Sequence, residues 1–478
     1  MKYSSGIGIA LVAALFALPH FCHAASAAES GTVHVPMAMT DGLAAKKAVI
    51  SSSMHMESEK NFAFSGAQST AKSTGSTVRA FAGGASQSGI SQSTRGSRIL
   101  SARVTWKPVS NAVKYQVVLL KSADDTPENI ALTLDNVFET GVDIPLRQFG
   151  SDVDGFYWKV CALDYYGNAI GHFSRPLPIA KSGEINARAP LPTTQFNEMS
   201  YSPEYPVYSW IPVAGVKKHI VEVRRESNGA IVRSLGAGEF DVYDSLPFLT
   251  PGTYSWRVRG LAMNGEPITD WSEPSKFRVT TPTPFAALGD SITHGGGVMS
   301  VPPGYLLYNW ETYCRVPIKN LGASGNTTLD LLDRFERDVL PFKPRVLVIM
   351  SGVNDYRAQT FGATTVRRLA ALRDKCNMYG IIPVFATTTP INPWLMQRAG
   401  IEQPPSDWQV HLQYINHWIM EQKYAVDITP DITDSDGNLR SDYTTDGLHP
   451  DYYGKKYIGE QIGHYLLNHF MWLTQNIK

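Results

Sequence analysis

Four short stretches of this chain carry residue types that could move an acyl group between oxygens. Gly289-Asp290-Ser291-Ile292-Thr293 follows the apolar run 285–288. A serine just past a buried strand can be presented on a turn, with its hydroxyl exposed and its own N–H facing the incoming group. The same tripeptide also reads as an ordinary turn with a helix cap. In Asn320-Leu-Gly-Ala-Ser-Gly325-Asn-Thr-Thr328, Gly325 would let the backbone approach a ligand oxygen, while Thr327 or Thr328 would cap the next helix. Ser351-Gly352-Val353-Asn354-Asp355 puts a carboxamide at a further strand end. An amide donates hydrogen bonds without titrating, so it can hold an oxyanion without quenching a nucleophile; the alternative is a plain turn. In Asp446-Gly-Leu-His449-Pro450 an aspartate three residues ahead of a histidine can accept the Nδ1 proton and aim Nε2 at a serine, although such a pair also occurs in solvated turns.

The elements around these stretches suit that role. Residues 285–288, 316–321, 346–350, 382–387 and 425–428 read as strands, and 328–340, 364–379, 411–423 and 454–469 as helices. Strand and helix in alternation imply a parallel sheet with crossovers and a site at the strands' carboxyl ends. In the last helix Ile458, Ile462, Tyr465 and Leu466 form the sheet-facing stripe, with Lys455, Lys456 and Glu460 expected to point outward.

The four blocks stand in chain order and together supply a nucleophile, oxyanion donors and an acid–base pair. On them, the region 282–478 resembles the SGNH hydrolases, also called the GDSL esterase/lipase family. The resemblance implies a three-layer α/β/α, flavodoxin-like domain without cofactor or metal. It implies Ser291, Asp446 and His449 as the catalytic triad, with an oxyanion hole made by the N–H groups of Ser291 and Gly325 and the side chain of Asn354. Other candidates fit less well: His294 lacks an aspartate two or three residues upstream, His411 and His417 sit in a helical pattern, and Asp434-Ser-Asp436-Gly-Asn438 reads as a turn rather than a calcium loop.

Ahead of this region the chain repeats itself. Trp106-Lys-Pro-Val-Ser-Asn-Ala-Val-Lys114 recurs as Trp210-Ile-Pro-Val-Ala-Gly-Val-Lys-Lys218, and Tyr157-Trp158 corresponds to Ser255-Trp256, each pair followed by a Ser-x-Pro at Ser174 and Ser272. Period-two patterning marks half-buried strands: Leu100, Ala102, Val104 and Trp106 on one side, Ser101, Arg103, Thr105 and Lys107 on the other. With turn formers at Asp154-Gly155, Asn228-Gly229 and Pro251-Gly252, the two copies read as antiparallel β-sandwich modules over 96–184 and 185–281, and they resemble fibronectin type III or related immunoglobulin-like domains. Their tryptophans are expected in the cores, while Tyr165, Tyr166, Tyr205 and Trp271 offer a surface for possible polysaccharide contact.

The first 24 residues have the layout of a secretory signal peptide: Lys2, an apolar stretch over 7–18, then small residues at Ala24 and Ala25, with no lipid anchor expected at Cys22. A secreted or cell-envelope protein follows, with no transmembrane segment. Residues 25–95 are poor in large apolar side chains and carry no expected fold; Ser and Gly dominate 65–97. Lysine plus arginine number 43 and aspartate plus glutamate 43, so no net charge is available to hold a polyanion and nucleic acid is not an expected partner. Cys161, Cys314 and Cys376 allow at most one internal disulfide, with Cys314 to Cys376 the pair to test.

The expected activity is that of a serine esterase working through an acyl-enzyme, with removal of acetyl groups from carbohydrate as the first choice of ester substrate. Lipase, lysophospholipase-type and thioesterase activities stay open, because Leu306, Leu307, Tyr308 and Trp310 read either as an acyl pocket or as core. A reading of another class is a surface-binding or adhesive protein with a non-catalytic C-terminal domain.

Overall fold

Period-two alternation builds the N-terminal half. The computed structural model describes residues 99–109, 112–150, 153–164, 167–297 and 304–474. The expected leader, the segment 25–95, Tyr165 and Tyr166 lie outside the described residues. The first module comprises β1 (Ser101–Thr105), β2 (Lys114–Leu120), β3 (Ile130–Val137), β4 (Gly141–Pro145), β5 (Tyr157–Leu163), β6 (Ala169–Ile170), β7 (Leu177–Pro178), a helical turn α1 (Ile179–Ser182) and β8 (Glu184–Ile185). One antiparallel sheet is ordered β4–β1–β8 and the other β3–β2–β5–β6, with β7 also on β5. The second module follows the same plan with β9 (Leu191–Pro192), β10 (Val207–Ile211), β11 (Lys218–Arg225), β12 (Ile231–Ala237), β13 (Asp241–Tyr243), β14 (Gly252–Leu261) and β15 (Ser275–Val279), in sheets β13–β10–β9 and β12–β11–β14–β15.

The sequence repeat is a structural repeat. Trp106, Trp158, Trp210 and Trp256 are all buried. Ser174 and Ser272 do the same work in each copy: the hydroxyl accepts the N–H of Val160 or Val258, and the serine N–H returns a bond to the same residue's carbonyl. One face departs from the expected alternation. Ser101 and Arg103 are buried at 4% and 5% exposure rather than solvated, because the chain between the modules crosses them. Asn186 Oδ1 accepts the Ser101 N–H at 3.2 Å, and Arg103 Nη1 donates to the Ala189 carbonyl at 2.8 Å. Of the surface aromatics, Tyr205 is 7% exposed, and Trp271 lies between the guanidinium groups of Arg257 and Arg259.

Apolar runs too short for helices build the other half as a parallel sheet of β16 (Phe285–Gly289), β17 (Lys319–Gly322), β18 (Val346–Met350), β19 (Ile382–Ala386) and β20 (Ala425–Val426). Its order, β17–β16–β18–β19–β20, is the doubly wound flavodoxin-like order, with the reversal at β16. The helices are α2 (Ser291–His294), α3 (Thr328–Asp338), α4 (Val353–Arg357), α5 (Gly362–Met378), α6 (Pro393–Arg398), α7 (Trp408–Met420) and α8 (Tyr452–Thr474). Helices α3, α5 and α7 pack side by side, and α8 packs against the turn Trp310–Tyr313.

Ile458, Ile462 and Leu466 are fully buried on α8, as their spacing requires, but Lys455 is not the solvated lysine expected. It is 0% exposed, and its Nζ donates to the Ile292 carbonyl of α2 at 2.5 Å. Burial lowers its pKa to about 8. Cys161, Cys314 and Cys376 are separate, buried free thiols, so the candidate Cys314–Cys376 bond is not formed.

Candidate active site

The switch point between β16 and its neighbours brings the four sequence blocks together. Ser291 opens α2 directly after β16. Asp290 caps this turn by accepting the Ile292 N–H at 2.9 Å, and its burial pushes its own carboxyl up to about 6 against the opposing pull of that N–H, His449 and Lys455. The Ser291 hydroxyl lies 3.0 Å from His449 Nε2, and His449 Nδ1 lies 2.8 Å from Asp446 Oδ2. The turn ahead of α8 fixes this pair, since Asp446 Oδ1 also accepts the N–H groups of Leu448 and His449, each at 2.8 Å. Burial alone would raise the Asp446 carboxyl, which is 2% exposed, but the charge and hydrogen bonds of His449 and the Leu448 N–H outweigh it and hold the pKa below the usual carboxylate range.

Of the expected oxyanion donors, Asn354 is tied to the turn that carries Gly325. Asn354 Nδ2 gives one hydrogen to the Asn326 carbonyl at 2.9 Å, one residue along the chain from Gly325, and the amide has a second hydrogen to donate. Arg357 Nη1 donates to Asn354 Oδ1 at 3.3 Å and so fixes which way the amide faces. Asp355 anchors the block from behind, accepting from the N–H and hydroxyl of Thr328 at 2.8 and 2.5 Å. Thr327 caps α3, forming a capping box with Asp330. Gly325 has φ +82°, a backbone conformation that favours glycine, and a Cβ there would meet no protein atom within 4 Å. Protein backbones approach closely at Gly322, where a Cβ would come within 2.2 Å of the His294 backbone nitrogen.

The remaining candidates fall elsewhere. His294 is 3% exposed, with Nδ1 on the Ser324 hydroxyl at 2.9 Å and Nε2 on the Tyr205 carbonyl at 2.6 Å; burial lowers its pKa to about 4. His411 accepts the Gly362 N–H, and His417 is exposed beside Glu421. Asp434 forms a turn with Asp436 and Asn438. Trp310 and Tyr308 are 0% and 5% exposed, and the Tyr308 hydroxyl donates to the Val113 carbonyl, so these two rings are core rather than acyl pocket, while Leu306 and Leu307 are half-buried. Sequence reasoning missed Lys455 under the nucleophile helix, Arg357 behind Asn354 and the contact of His294 with the second module. A lysine and an arginine in helical patterns give no burial signal.

A serine on a strand-to-helix turn, an aspartate-oriented imidazole and amide donors at a doubly wound switch point define a serine-hydrolase type of site. Residues 287–457 match the GDSL-like Lipase/Acylhydrolase family model. Over 80 residues the chain is 38% identical to an uncharacterized lipoprotein, YqeF, of Bacillus subtilis (strain 168), covering 16% of this chain and 33% of that protein. The chain thus spans about a third of the length of that curated relative. Among solved structures, it is similar to a putative acylhydrolase from Bacteroides fragilis, at 20% identity and TM-score 0.32 over 40% of this chain and 90% of that one. A lipase/acylhydrolase from Enterococcus faecalis gives 23% identity and TM-score 0.33 over 39% and 96%. An acetylxylan esterase, Axe2, from Geobacillus stearothermophilus gives 20% and 0.29 over 38% and 92%.

Proposed function

We propose that residues 282–478 hydrolyse carboxylic esters through an acyl-enzyme on Ser291. The observation that carries the reading is the unbroken run from Ser291 Oγ to His449 Nε2 at 3.0 Å and from His449 Nδ1 to Asp446 Oδ2 at 2.8 Å. Ser291 attacks the ester carbonyl as His449 Nε2 takes the hydroxyl proton, and Asp446 holds the tautomer and balances the imidazolium. The tetrahedral oxyanion is held by the N–H groups of Ser291 and Gly325 and by Asn354 Nδ2. His449 returns the proton to the leaving alcohol, and a water activated by the same imidazole releases the acid.

The substrate we infer is a short-chain, acetylated carbohydrate. Two exposed rings on elements that adjoin the blocks carrying Ser291 and His449 support this choice. Tyr243 of the second module, 49% exposed, stands against His294 at 5.9 Å between ring centroids, and Trp394, 61% exposed, rides on α6, whose start is tied to Gly447 by the Asn392 N–H at 2.7 Å. Flat apolar faces of this kind suit a sugar ring, apolar on its face and hydroxylated at its rim. The fibronectin-like sandwiches would hold the enzyme near an extracellular polymer. Export is inferred from the leader pattern, and the name lipoprotein carried by the Bacillus subtilis relative supports it. Among the described residues no helix is long and apolar enough to cross a membrane.

The test is turnover of p-nitrophenyl acetate and p-nitrophenyl palmitate by wild type, Ser291→Ala and Asn354→Ala. Ser291→Ala should lose on the order of 10³-fold or more in kcat, and Asn354→Ala about a hundredfold or more. Equal rates in wild type and Ser291→Ala would sink the esterase reading and favour a binding protein. Faster palmitate than acetate turnover would replace the acetyl preference with a lipase.

A further inference from the structure

The second β module reaches the back of the proposed reaction centre through one short loop, residues 202–206. The Ser202 carbonyl accepts from Lys319 Nζ at 2.6 Å, and the Glu204 N–H donates to the Asn320 carbonyl at 3.0 Å, both on β17. The Glu204 carboxylate, 0% exposed, lies 3.8 Å from Arg334 Nη1, and Arg334 Nη2 in turn donates to the carbonyls of Gly289 and Leu321 at the ends of β16 and β17. The Tyr205 hydroxyl donates to Asp338 Oδ2 on α3 at 2.7 Å and accepts from Arg337 Nη2 at 2.7 Å. The backbone of Tyr205 is therefore held between α2 and α3.

Its carbonyl faces His294 Nε2 at 2.6 Å. A carbonyl offers only lone pairs, so Nε2 must carry the hydrogen, and in the neutral ring Nδ1 is then an acceptor. The 2.9 Å contact with Ser324 is consequently the serine hydroxyl donating to Nδ1. Ser324 stands at the surface and immediately precedes Gly325. The polarity of the whole run follows from one backbone carbonyl in another module.

We propose that His294 and Ser324 are positioning residues: through them the Tyr205 carbonyl of the second β module sets the placement of the Gly325 N–H, and so the module is part of the catalytic unit rather than an appended binding surface. This rests on the esterase reading for its kinetic consequences, but not for its structural one. His294 is too far engaged to act on substrate itself, and neither residue is offered as a catalytic group.

The experiment uses the full chain with Ser324→Ala, Ser324→Thr, His294→Gln and the Ser324→Ala/His294→Gln double variant. Ser324→Ala removes one hydroxyl at an exposed position and should leave the thermal midpoint unchanged. It should lower kcat for p-nitrophenyl acetate about ten- to a hundredfold with KM preserved. Affinity for phenylboronic acid, which forms a tetrahedral adduct on Ser291, should fall by the same factor, and Ser324→Thr should restore both. His294→Gln keeps an N–H for Tyr205 and removes the Nδ1 acceptor, so it should match Ser324→Ala, and the double variant should lose no more than either single one. Hydrogen exchange of the peptide 320–326 should accelerate in both single variants. Unchanged exchange in both, wild-type kcat in Ser324→Ala, or additive losses in the double variant would overturn the proposal. Absence of Ser291-dependent turnover in the wild type would instead sink the esterase reading, while the exchange measurement would still judge the positioning role.

Discussion

In the first β module Trp106, Tyr115, Ile144 and Trp158 close around a core that, among the described residues, no side chain of the parallel-sheet domain joins. In the second, Phe196, Tyr208, Trp210, Trp256 and Phe277 run on without a break into Phe285, Leu321 and Phe335 of that domain. The strand plans match and the tryptophans recur, so the difference does not come from the repeated residues. It comes from the stretch between β9 and β10, which carries Glu204 and Tyr205 into the neighbouring domain and has no counterpart among the described residues ahead of β1. The first module meets the parallel-sheet domain through a small cluster of Val113, Tyr308 and Tyr452. A sequence repeat therefore reports a shared strand scaffold and is silent on which copy is fused to its neighbour.

The sharpest way to break this contrast is to hollow each core. Trp158→Ala and Trp256→Ala should each cost about 3–5 kcal/mol. In calorimetry with parallel activity assays, Trp256→Ala should lower the temperature at which esterase turnover is lost, whereas Trp158→Ala should shift a transition that leaves that temperature in place. Equal effects on turnover would mean the two modules are equally integrated.

A somewhat smaller effect comes from acid. His294 has a folded pKa of about 4 against an ordinary 6.5. A base whose folded pKa is depressed takes up protons preferentially when unfolded, so its contribution to stability is complete above pH 6.5 and is lost as pH falls through about 4. At 1.36 kcal/mol per pH unit, the loss amounts to roughly 3 kcal/mol. It should fall on the body formed by the second module and the parallel-sheet domain, which His294 joins through the Tyr205 carbonyl. Urea titrations from pH 7 to 4 should show the drop, and His294→Gln should flatten it; an unflattened drop would assign the acid sensitivity elsewhere.

The smallest expected change is at the first module's own seam. Tyr308→Phe removes the hydroxyl that donates to the Val113 carbonyl at 3.1 Å, and should cost about 1 kcal/mol by chemical denaturation with turnover unchanged. A loss of activity there would show that the first module, too, governs the site.

Much of this architecture was legible because it depends on local or periodic signals. The four blocks that form the site each carry their own turn chemistry, and the repeat exposed Ser174 and Ser272 as equivalent before any hydrogen bond was visible. What escaped was set by partners distant in the chain. Lys455 falls on the polar side of a helical period, but that side is covered by α2, whose Ile292 carbonyl satisfies the ammonium. Arg103 alternates outward on β1, yet the inter-module chain lies over it and supplies the Ala189 carbonyl. His294 lacks the upstream aspartate of a base, a sound test for that role and an uninformative one for a residue that links two domains. Nothing local marks Glu204 for burial, and only the fold brings Arg334 Nη1 to 3.8 Å from its carboxylate.

The three buried thiols carry a practical corollary. Because Cys161, Cys314 and Cys376 are unpaired, neither β module nor the parallel-sheet domain relies on a sulfur bridge among the described residues. Dithiothreitol should leave folding and turnover untouched, and renaturation from urea should need neither an oxidant nor an isomerase, so the protein can be prepared in a reducing cytosol as readily as in an oxidising medium.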